Sequence, residues 1–336
     1  MITYTMKQII TTLLAMPLSV SLTAQTVPSA VLQARMQKEE KAFLQNMKPG
    51  LQHTQMLAIR KAIVGDSTDL TTIRQSRNIP PQIPDDITAR YLTPHMCLFK
   101  PTEGMEGKRH VLLYLHGGGW CFGSINSCAR FCMAVAREAH CSVVALDYRL
   151  APSHPFPEPL EDCIEAFLYL KQHVEEWGGD STRISIGGDS AGGNLAIATA
   201  MSTDGVHSLL PIYPVILTTT TDTPSWRAYA TGYGNDAELM ETFNEAYVRT
   251  SANNPLTSVG LASDVMLRKL PPMLLLSAGH DILFDQGADW ARRLQTLGHP
   301  LDYHVFPTAT HLFITVPGQD AAFHEAVRIV SEFLGK

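Results

Sequence analysis

The chain lacks the marks of several functional classes. Only 17% of its 336 residues are charged, its formal net charge is −6, and no basic stripe runs along it. Nucleic acid is therefore not an expected partner. None of the 13 histidines stands in an H-x-x-x-H or H-E-x-x-H spacing, and no lysine follows a glycine run as it does in a phosphate-binding loop. The sequence therefore predicts no metal ion and no cofactor.

Internal repeats and low-complexity runs are also missing, and no apolar run is long enough to span a bilayer comfortably. A shorter apolar run at residues 9–22 follows Lys7 and ends near Ala24. A basic start, a short apolar run and a small residue at its end are typical of a secretory signal peptide. We therefore predict a signal peptide over residues 1–24 and a periplasmic or extracellular protein. The alternatives are an uncleaved membrane anchor and a disordered leader.

Cysteine pairs of the C-x-x-C type are absent as well. An exported protein can oxidise its thiols, but a chain of this length does not need cross-links to build a core. The sequence therefore favours buried free thiols and leaves a disulfide as the alternative. The six cysteines are Cys97, Cys121, Cys128, Cys132, Cys141 and Cys163.

The order of predicted elements indicates an α/β architecture. Helical periodicity covers residues 28–64, with a break at Pro49 and Gly50, and the proline-rich residues 66–86 read as a linker. Residues 88–93 and 95–100 are predicted to form two short strands that pair as a hairpin or as adjacent edge strands, and from residue 111 onward strands and helices alternate. That pattern predicts a mostly parallel central sheet flanked by helices on both faces.

A long excursion interrupts this alternation at residues 215–262, and it is too long for a plain connection. We interpret it, together with the N-terminal helices, as a helical lid. The predicted organisation is lid helices and linker over residues 25–86, then an α/β domain over residues 87–336 that carries the second lid segment. Aromatic side chains of the excursion either line a pocket or form the lid's own core: Trp226, Tyr229, Tyr233, Phe243 and Tyr247.

Ser190 lies at the centre of the most informative motif. It is the serine of a G-x-S-x-G match, Gly188-Asp189-Ser190-Ala191-Gly192, between a predicted buried strand and a predicted helix. Such a turn forces the serine into a strained backbone conformation, which the small neighbouring residues permit. The strain holds the hydroxyl clear of the sheet, so we predict that Ser190 is a nucleophile.

A serine nucleophile requires a histidine base and a carboxylate that orients the base. On an open parallel sheet these partners should follow the carboxyl ends of strands. Asp281 follows the predicted strand at residues 273–277, and His311 follows the last predicted strand. Asp285 is the alternative acid, although it reads better as the cap of the next helix. We therefore predict Ser190, Asp281 and His311 as the catalytic triad, in the chain order of α/β-hydrolases.

A glycine run after the buried strand at residues 111–115 supplies candidates for an oxyanion hole. The run Gly117-Gly118-Gly119 lets the backbone come close to a substrate and turn its amides inward. We predict the amides of Gly117 and Gly118 as donors, together with the amide of Ala191 next to the nucleophile. The alternative is a flexible turn.

Taken together, these motifs resemble the hormone-sensitive-lipase-like family of α/β-hydrolases. The resemblance runs from about residue 88 to the end and includes Asp281 and His311. It implies the α/β-hydrolase fold, a lid built from N-terminal helices and a later insertion, and esterase activity on short acyl esters without a cofactor. The other motifs that carry it are His116-Gly117-Gly118-Gly119, Tyr148-Arg149-Leu150-Ala151-Pro152 and Gly188-Asp189-Ser190-Ala191-Gly192.

Two positions depart from the family pattern, because Leu312 stands where glycine is frequent and Ile282 where proline is common. Both flank the predicted triad without interrupting it. The resemblance also implies that Arg149 and Asp162 support the structure and take no part in catalysis.

The expected function is a serine esterase with a small-molecule ester as substrate, and an acylated sugar is one candidate. An amidase or peptidase on the same triad is the alternative, because His311 could equally protonate a leaving nitrogen. A ligand-binding protein is a further alternative. Plant gibberellin receptors resemble this family but have lost the catalytic histidine, which this chain retains. The sequence makes no prediction of the oligomeric state.

Overall fold

The protein is described here by a computed structural model that covers residues 29–104, 106–219 and 222–335. The predicted signal peptide at residues 1–24 lies outside these ranges. Within them, no helix combines the length and the apolar character that crossing a membrane requires.

The architecture is built on one sheet of eight strands. The strands are β1 (Ile87–Thr93), β2 (Met96–Pro101), β3 (Arg109–Leu115), β4 (Ser142–Leu146), β5 (Gly179–Asp189), β6 (Leu209–Ile212), β7 (Met273–His280) and β8 (Leu301–Thr310). Their order in the sheet is β1-β2-β4-β3-β5-β6-β7-β8. The first two strands pair antiparallel, β2 also pairs antiparallel with β4, and all later pairs are parallel. The predicted mostly parallel sheet is therefore confirmed.

Helices cover both faces of this sheet. The helices are α1 (Ala30–Gln45), α2 (Leu51–Ile63), α3 (Thr68–Arg77), α4 (Ile125–Ala139), α5 (Glu158–His173), α6 (Ala191–Ser202), α7 (Pro224–Ala228), α8 (Ala237–Val248), α9 (Asp264–Leu267), α10 (Phe284–Thr296) and α11 (Asp320–Leu334). Successive side chains of a strand point to opposite faces. Leu113 and Leu115 of β3 therefore belong to the core on the side of α5, α6 and α10, whereas Leu112 and Tyr114 belong to the core on the side of α4 and α11.

Helix α3 differs from the sequence expectation, which assigned residues 66–86 to a linker. The helix buries only Leu70. A single buried position gives no apolar periodicity, and the prolines that follow at residues 80, 81 and 84 dominate the composition of the segment.

The segments interpreted as a lid pack in two places. Helix α2 packs against α8 of the excursion, and the Asp236 amide donates a hydrogen bond of 2.5 Å to Gln52 Oε1. Helix α1 packs instead on β8 and α11, with Met36 and Phe43 buried there. The division into a lid and an α/β domain stays a prediction, and α1 lies against the sheet's last strand in this structure.

His110 forms a buried polar contact at the amino end of β3. Its Nδ1 lies 3.1 Å from the Leu334 carbonyl oxygen, and its Nε2 lies 2.7 Å from Ser185 Oγ. A neutral ring satisfies both contacts, by donating from Nδ1 and accepting at Nε2. Burial lowers the pKa of His110 from 6.5 to about 4. Protonation in the folded state would therefore cost stability.

This shift predicts a pH-dependent stability. Between pH 6.5 and about 4 the unfolded chain binds a proton at His110 that the folded chain does not, so the free energy of unfolding falls as the pH drops. The full loss is about 3 kcal/mol. Urea unfolding of wild type and His110→Gln should therefore show the wild type losing stability relative to the variant across this range. A difference between the two proteins that does not change with pH would contradict this assignment. Contributions from other titrating groups cancel in the comparison.

Candidate active site

Ser190 occupies the turn between β5 and α6. Its φ of 56° and ψ of −117° fall outside the regions that non-glycine residues usually adopt. The turn packs tightly on the end of β3, because a Cβ at Gly188 would lie 2.4 Å, and one at Gly192 2.0 Å, from the Leu115 carbonyl oxygen. Only glycine fits at these two positions. The strained backbone expected of a nucleophilic serine is thus present.

The structure brings the three predicted triad residues together. Ser190 Oγ lies 2.8 Å from His311 Nε2, and His311 Nδ1 lies 2.6 Å from Asp281 Oδ2. This arrangement has the serine hydroxyl donating to Nε2 and Nδ1–H donating to the carboxylate. All three side chains are buried, with Asp281 only 1% exposed. The hydroxyl proton therefore has an acceptor, and the resulting imidazolium has a carboxylate beside it.

The contacts of the two candidate acids, Asp281 and Asp285, show which of them belongs to the triad. Asp281 follows β7, and its second oxygen Oδ1 accepts a hydrogen bond of 3.0 Å from the Leu283 amide. Asp285 lies in the first turn of α10 and accepts a hydrogen bond of 2.7 Å from the Ser225 amide. Asp285 thus holds helix α7 and does not contact His311.

The glycine loop differs from the sequence expectation at its first residue. The Gly117 amide donates a hydrogen bond of 3.0 Å to Asp189 Oδ1, so it is not free to bind an oxyanion. Within the described ranges, the amides of Gly118, Gly119 and Ala191 donate to no protein acceptor. Ala191 begins α6, where the first amides of a helix have no partner within the helix. The amides of Gly118 and Ala191 are thus free, as predicted, and the free amide of Gly119 takes the place expected for Gly117.

Asp189 fixes the glycine loop to the nucleophile turn. It is 2% exposed and accepts hydrogen bonds from the Tyr114 hydroxyl and from the Gly117 amide, each at 3.0 Å. Burial raises the pKa of Asp189 to about 6. Sequence reasoning gave Asp189 no role, although it stands inside the G-x-S-x-G motif. Its carboxylate explains why the first glycine amide is occupied.

A small cavity of about 90 Å³ opens over Ser190 and His311. Several of its walls come from the segments interpreted as a lid, and Phe243 of α8, one of the aromatic candidates, is among them. Sequence reasoning missed the others: Gln55 of α2, Arg77 of α3, Asn235, and Leu239 of α8. No sequence signal identifies them, because the fold brings them together from three distant segments.

One aromatic residue of the excursion at residues 215–262 lines the cavity, and others pack elsewhere in the protein. Phe243 lines the cavity, whereas Tyr247 stacks on Trp120 with ring centres 4.3 Å apart inside the core. Tyr229 and Tyr233 pack against the ring of His280. One aromatic side chain of the set thus faces the substrate space.

The structure also locates the two positions that depart from the family pattern and the predicted structural pair. Leu312 lines the cavity, and Ile282 is buried with its carbonyl bonded to Ser225 Oγ. Arg149 Nη2 lies 2.7 Å from Asp162 Oδ1, and this ion pair does not involve the triad.

Two further features concern the state of the cysteines and the grouping of potential metal ligands. All six cysteines are buried free thiols. Across the described ranges, no group of three or more potential metal ligands comes together.

The chain matches a known family over most of its α/β part. Residues 112–315 match the alpha/beta hydrolase fold family. The chain belongs to the hormone-sensitive-lipase-like family of α/β-hydrolases. One relative, Lipase 2 of Moraxella sp. (strain TA144), is 30% identical to this chain, over 82% of this chain and 70% of the relative. Ethyl acetate hydrolase of Pseudomonas putida is 36% identical, over 61% of this chain and 66% of the relative.

Solved structures of the same fold extend the likeness over nearly the whole chain. An ester-hydrolase from the metagenome of Lake Arreo, complexed with a bipyridine phosphonate derivative, is 29% identical with a TM-score of 0.73. That comparison covers 90% of this chain and 97% of the other. Carboxyl esterase 2 of the fungus Tuber melanosporum is 26% identical with a TM-score of 0.69, over 76% of this chain and 89% of the other.

Proposed function

We propose that this family member is a serine carboxylic ester hydrolase that acts on small esters with a short acyl chain. The observation that carries the proposal is the hydrogen-bonded series from Ser190 through His311 to Asp281, which lies beside unpaired backbone amides. The relatives named above as hydrolases of esters support the same class of activity.

The geometry suits acyl transfer in two steps. His311 Nε2 takes the Ser190 proton as Oγ attacks the ester carbonyl, and Asp281 stabilises the imidazolium that results. The amides of Gly118, Gly119 and Ala191 bind the oxyanion as it forms. His311 then protonates the departing alkoxide, which frees the alcohol. Water, deprotonated by the same nitrogen, attacks the acyl-enzyme and releases the acid.

The size of the cavity supports a short acyl chain. About 90 Å³ is small compared with the roughly 300–1,000 Å³ of most small-molecule sites. We therefore expect kcat/KM to fall steeply from p-nitrophenyl acetate through butyrate to octanoate. A fully acetylated sugar belongs in the same series, because its acetyl groups fit this limit and an acylated sugar is the candidate natural substrate.

Two results of this series would count against the proposal. A rate that rises toward octanoate would contradict the short acyl chain. A higher kcat/KM for acetanilides than for the matching phenyl acetates would favour the amidase alternative over an esterase.

Export is part of the proposal. The basic start, the apolar run at residues 9–22 and the small residue Ala24 support removal of a signal peptide before the protein acts. Expression of the full chain followed by mass measurement of the exported form tests this point. A mature protein that retains residues 1–24, or one that stays inside the cell, would contradict it.

A further inference from the structure

Arg77 places a positive charge at the mouth of the catalytic cavity. Of the described residues that line this cavity, it is the only lysine or arginine. Its guanidinium carbon lies 5.0 Å from the centre of the Phe122 ring, and Phe122 follows closely on the glycine loop. Although packing removes part of the water around the guanidinium, the residue as a whole is exposed and lines the cavity, so an entering substrate can reach it.

This guanidinium packs on the Phe122 ring and has no polar partner among the described residues. Throughout the described ranges, no carboxylate forms an ion pair with Arg77 and no protein acceptor takes a hydrogen bond from it. The packing around it lowers its pKa by removing water, without a charged neighbour to oppose the effect. An arginine remains cationic under such a shift. The cavity wall therefore presents a positive charge that forms no ion pair with any described residue.

The backbone that carries Arg77 is held by its neighbours. Arg74, one turn earlier, donates to the carbonyl oxygens of Cys121 at 2.8 Å and Ala151 at 2.6 Å. Asn78, the next residue, accepts hydrogen bonds from Ser124 Oγ and Asn126 Nδ2. Arg74 and Asn78 thus fix the end of α3 to the α/β part. Arg77 is not needed as an anchor, and its guanidinium is left free beside the cavity.

The other polar groups of the cavity wall form no ion pair with Arg77. Gln55, Asn235 and Thr315 are neutral, and the buried Asp189 carboxylate accepts its hydrogen bonds from Tyr114 and Gly117 instead. A guanidinium recognises a carboxylate through two parallel hydrogen bonds, which a neutral group of the same shape cannot accept. The arrangement is thus suited to a substrate that carries its own negative charge.

We propose that the cavity selects esters whose acyl part ends in a carboxylate, such as monoesters of short dicarboxylic acids, and that Arg77 binds that carboxylate. This inference rests on the proposed esterase function. The leaving oxygen must lie near His311 Nε2 to receive its proton, whereas Arg77 contacts the glycine-loop side through Phe122. The arm of the substrate that reaches Arg77 is therefore the acyl arm.

The test compares each charged ester with a neutral ester of the same shape. Monoethyl succinate is paired with ethyl 4-methylpentanoate, and monoethyl glutarate with ethyl 5-methylhexanoate, in which an isopropyl group replaces the carboxylate. The ratio of kcat/KM within a pair is measured for wild type, Arg77→Gln, Arg77→Lys and Arg90→Gln. The last variant is a matched control, because Arg90 is an exposed arginine of β1 outside the cavity.

We expect the wild type to favour the charged member of at least one pair, and Arg77→Gln to lower that ratio by roughly 10- to 100-fold. Arg77→Lys should keep part of the preference, since it keeps the charge but loses the paired donors. Arg90→Gln should leave the ratio unchanged. Because the neutral ester is measured in the same protein, a misfolded variant loses both rates and is recognised at once.

Three outcomes would overturn the inference. In the first, the wild type shows no preference for the charged esters. In the second, the ratio is the same in wild type and Arg77→Gln. In the third, a preference appears only for 4-acetoxybutanoate over 4-methylpentyl acetate, which would place the charge on the alcohol. Hydrolysis of p-nitrophenyl acetate is measured alongside the pairs. If the wild type hydrolysed that ester but no member of any pair, this inference alone would fail; if it hydrolysed none of them, the proposed esterase function would fail with it.

Discussion

Ser190→Ala should abolish ester hydrolysis while the protein stays folded. The substitution removes the only atom that can form the acyl-enzyme, and the remaining oxyanion donors give little rate on their own. We expect kcat for p-nitrophenyl acetate to fall by about 10,000- to 1,000,000-fold. The side chain is small and its hydroxyl bonds only to His311, so the free energy of unfolding should change little.

Ser202→Ala is a matched control for this variant. Ser202 ends the helix that Ser190 precedes, and its hydroxyl bonds to the Ala198 carbonyl oxygen away from the cavity. Its kcat should stay close to that of the wild type. If Ser190→Ala kept most of its activity, another group would be the nucleophile and the proposed mechanism would be wrong.

Asp281→Asn should lower kcat by about 10,000-fold, which is the second largest effect we expect. The Asp281 carboxylate accepts one hydrogen bond from His311 Nδ1–H and another from the Leu283 amide. In the asparagine variant the side-chain oxygen can keep the contact with Leu283 while the NH₂ group faces His311. The ring must then accept at Nδ1 and carry its proton on Nε2. In that tautomer Nε2 can no longer take the serine proton.

Asp285→Asn separates this effect from a general loss of charge. The asparagine oxygen can still accept the hydrogen bond from the Ser225 amide, so activity should remain within a few-fold of the wild type. Equal losses in the two variants would show that charge near the site matters more than the orientation of His311.

The triad could be predicted from the sequence because the fold itself brings its members together. Parallel strands end at one edge of the sheet, so residues that follow β5, β7 and β8 meet there even though 121 positions separate Ser190 from His311. The free thiols were favoured for a similar reason, since a large core needs no cross-link. These inferences required only element order.

The features that sequence reasoning missed depend on contacts between segments. The engagement of the Gly117 amide depends on the direction of the Asp189 side chain, which no motif specifies. Helix α3 buries one residue and therefore shows no apolar period. Arg77 is one of many arginines in the sequence, and only the packing of α3 beside the glycine loop places it at the cavity.

Covalent labelling identifies the nucleophile directly. Diethyl p-nitrophenyl phosphate should react with Ser190, because Oγ would form a bond to phosphorus as p-nitrophenolate leaves and His311 takes the proton. We expect intact wild-type protein to gain one diethylphosphoryl group, peptide mapping to place that group on Ser190, and Ser190→Ala to gain none. A label on another residue of the wild type, or equal labelling of the variant, would contradict the assignment of Ser190 as the nucleophile.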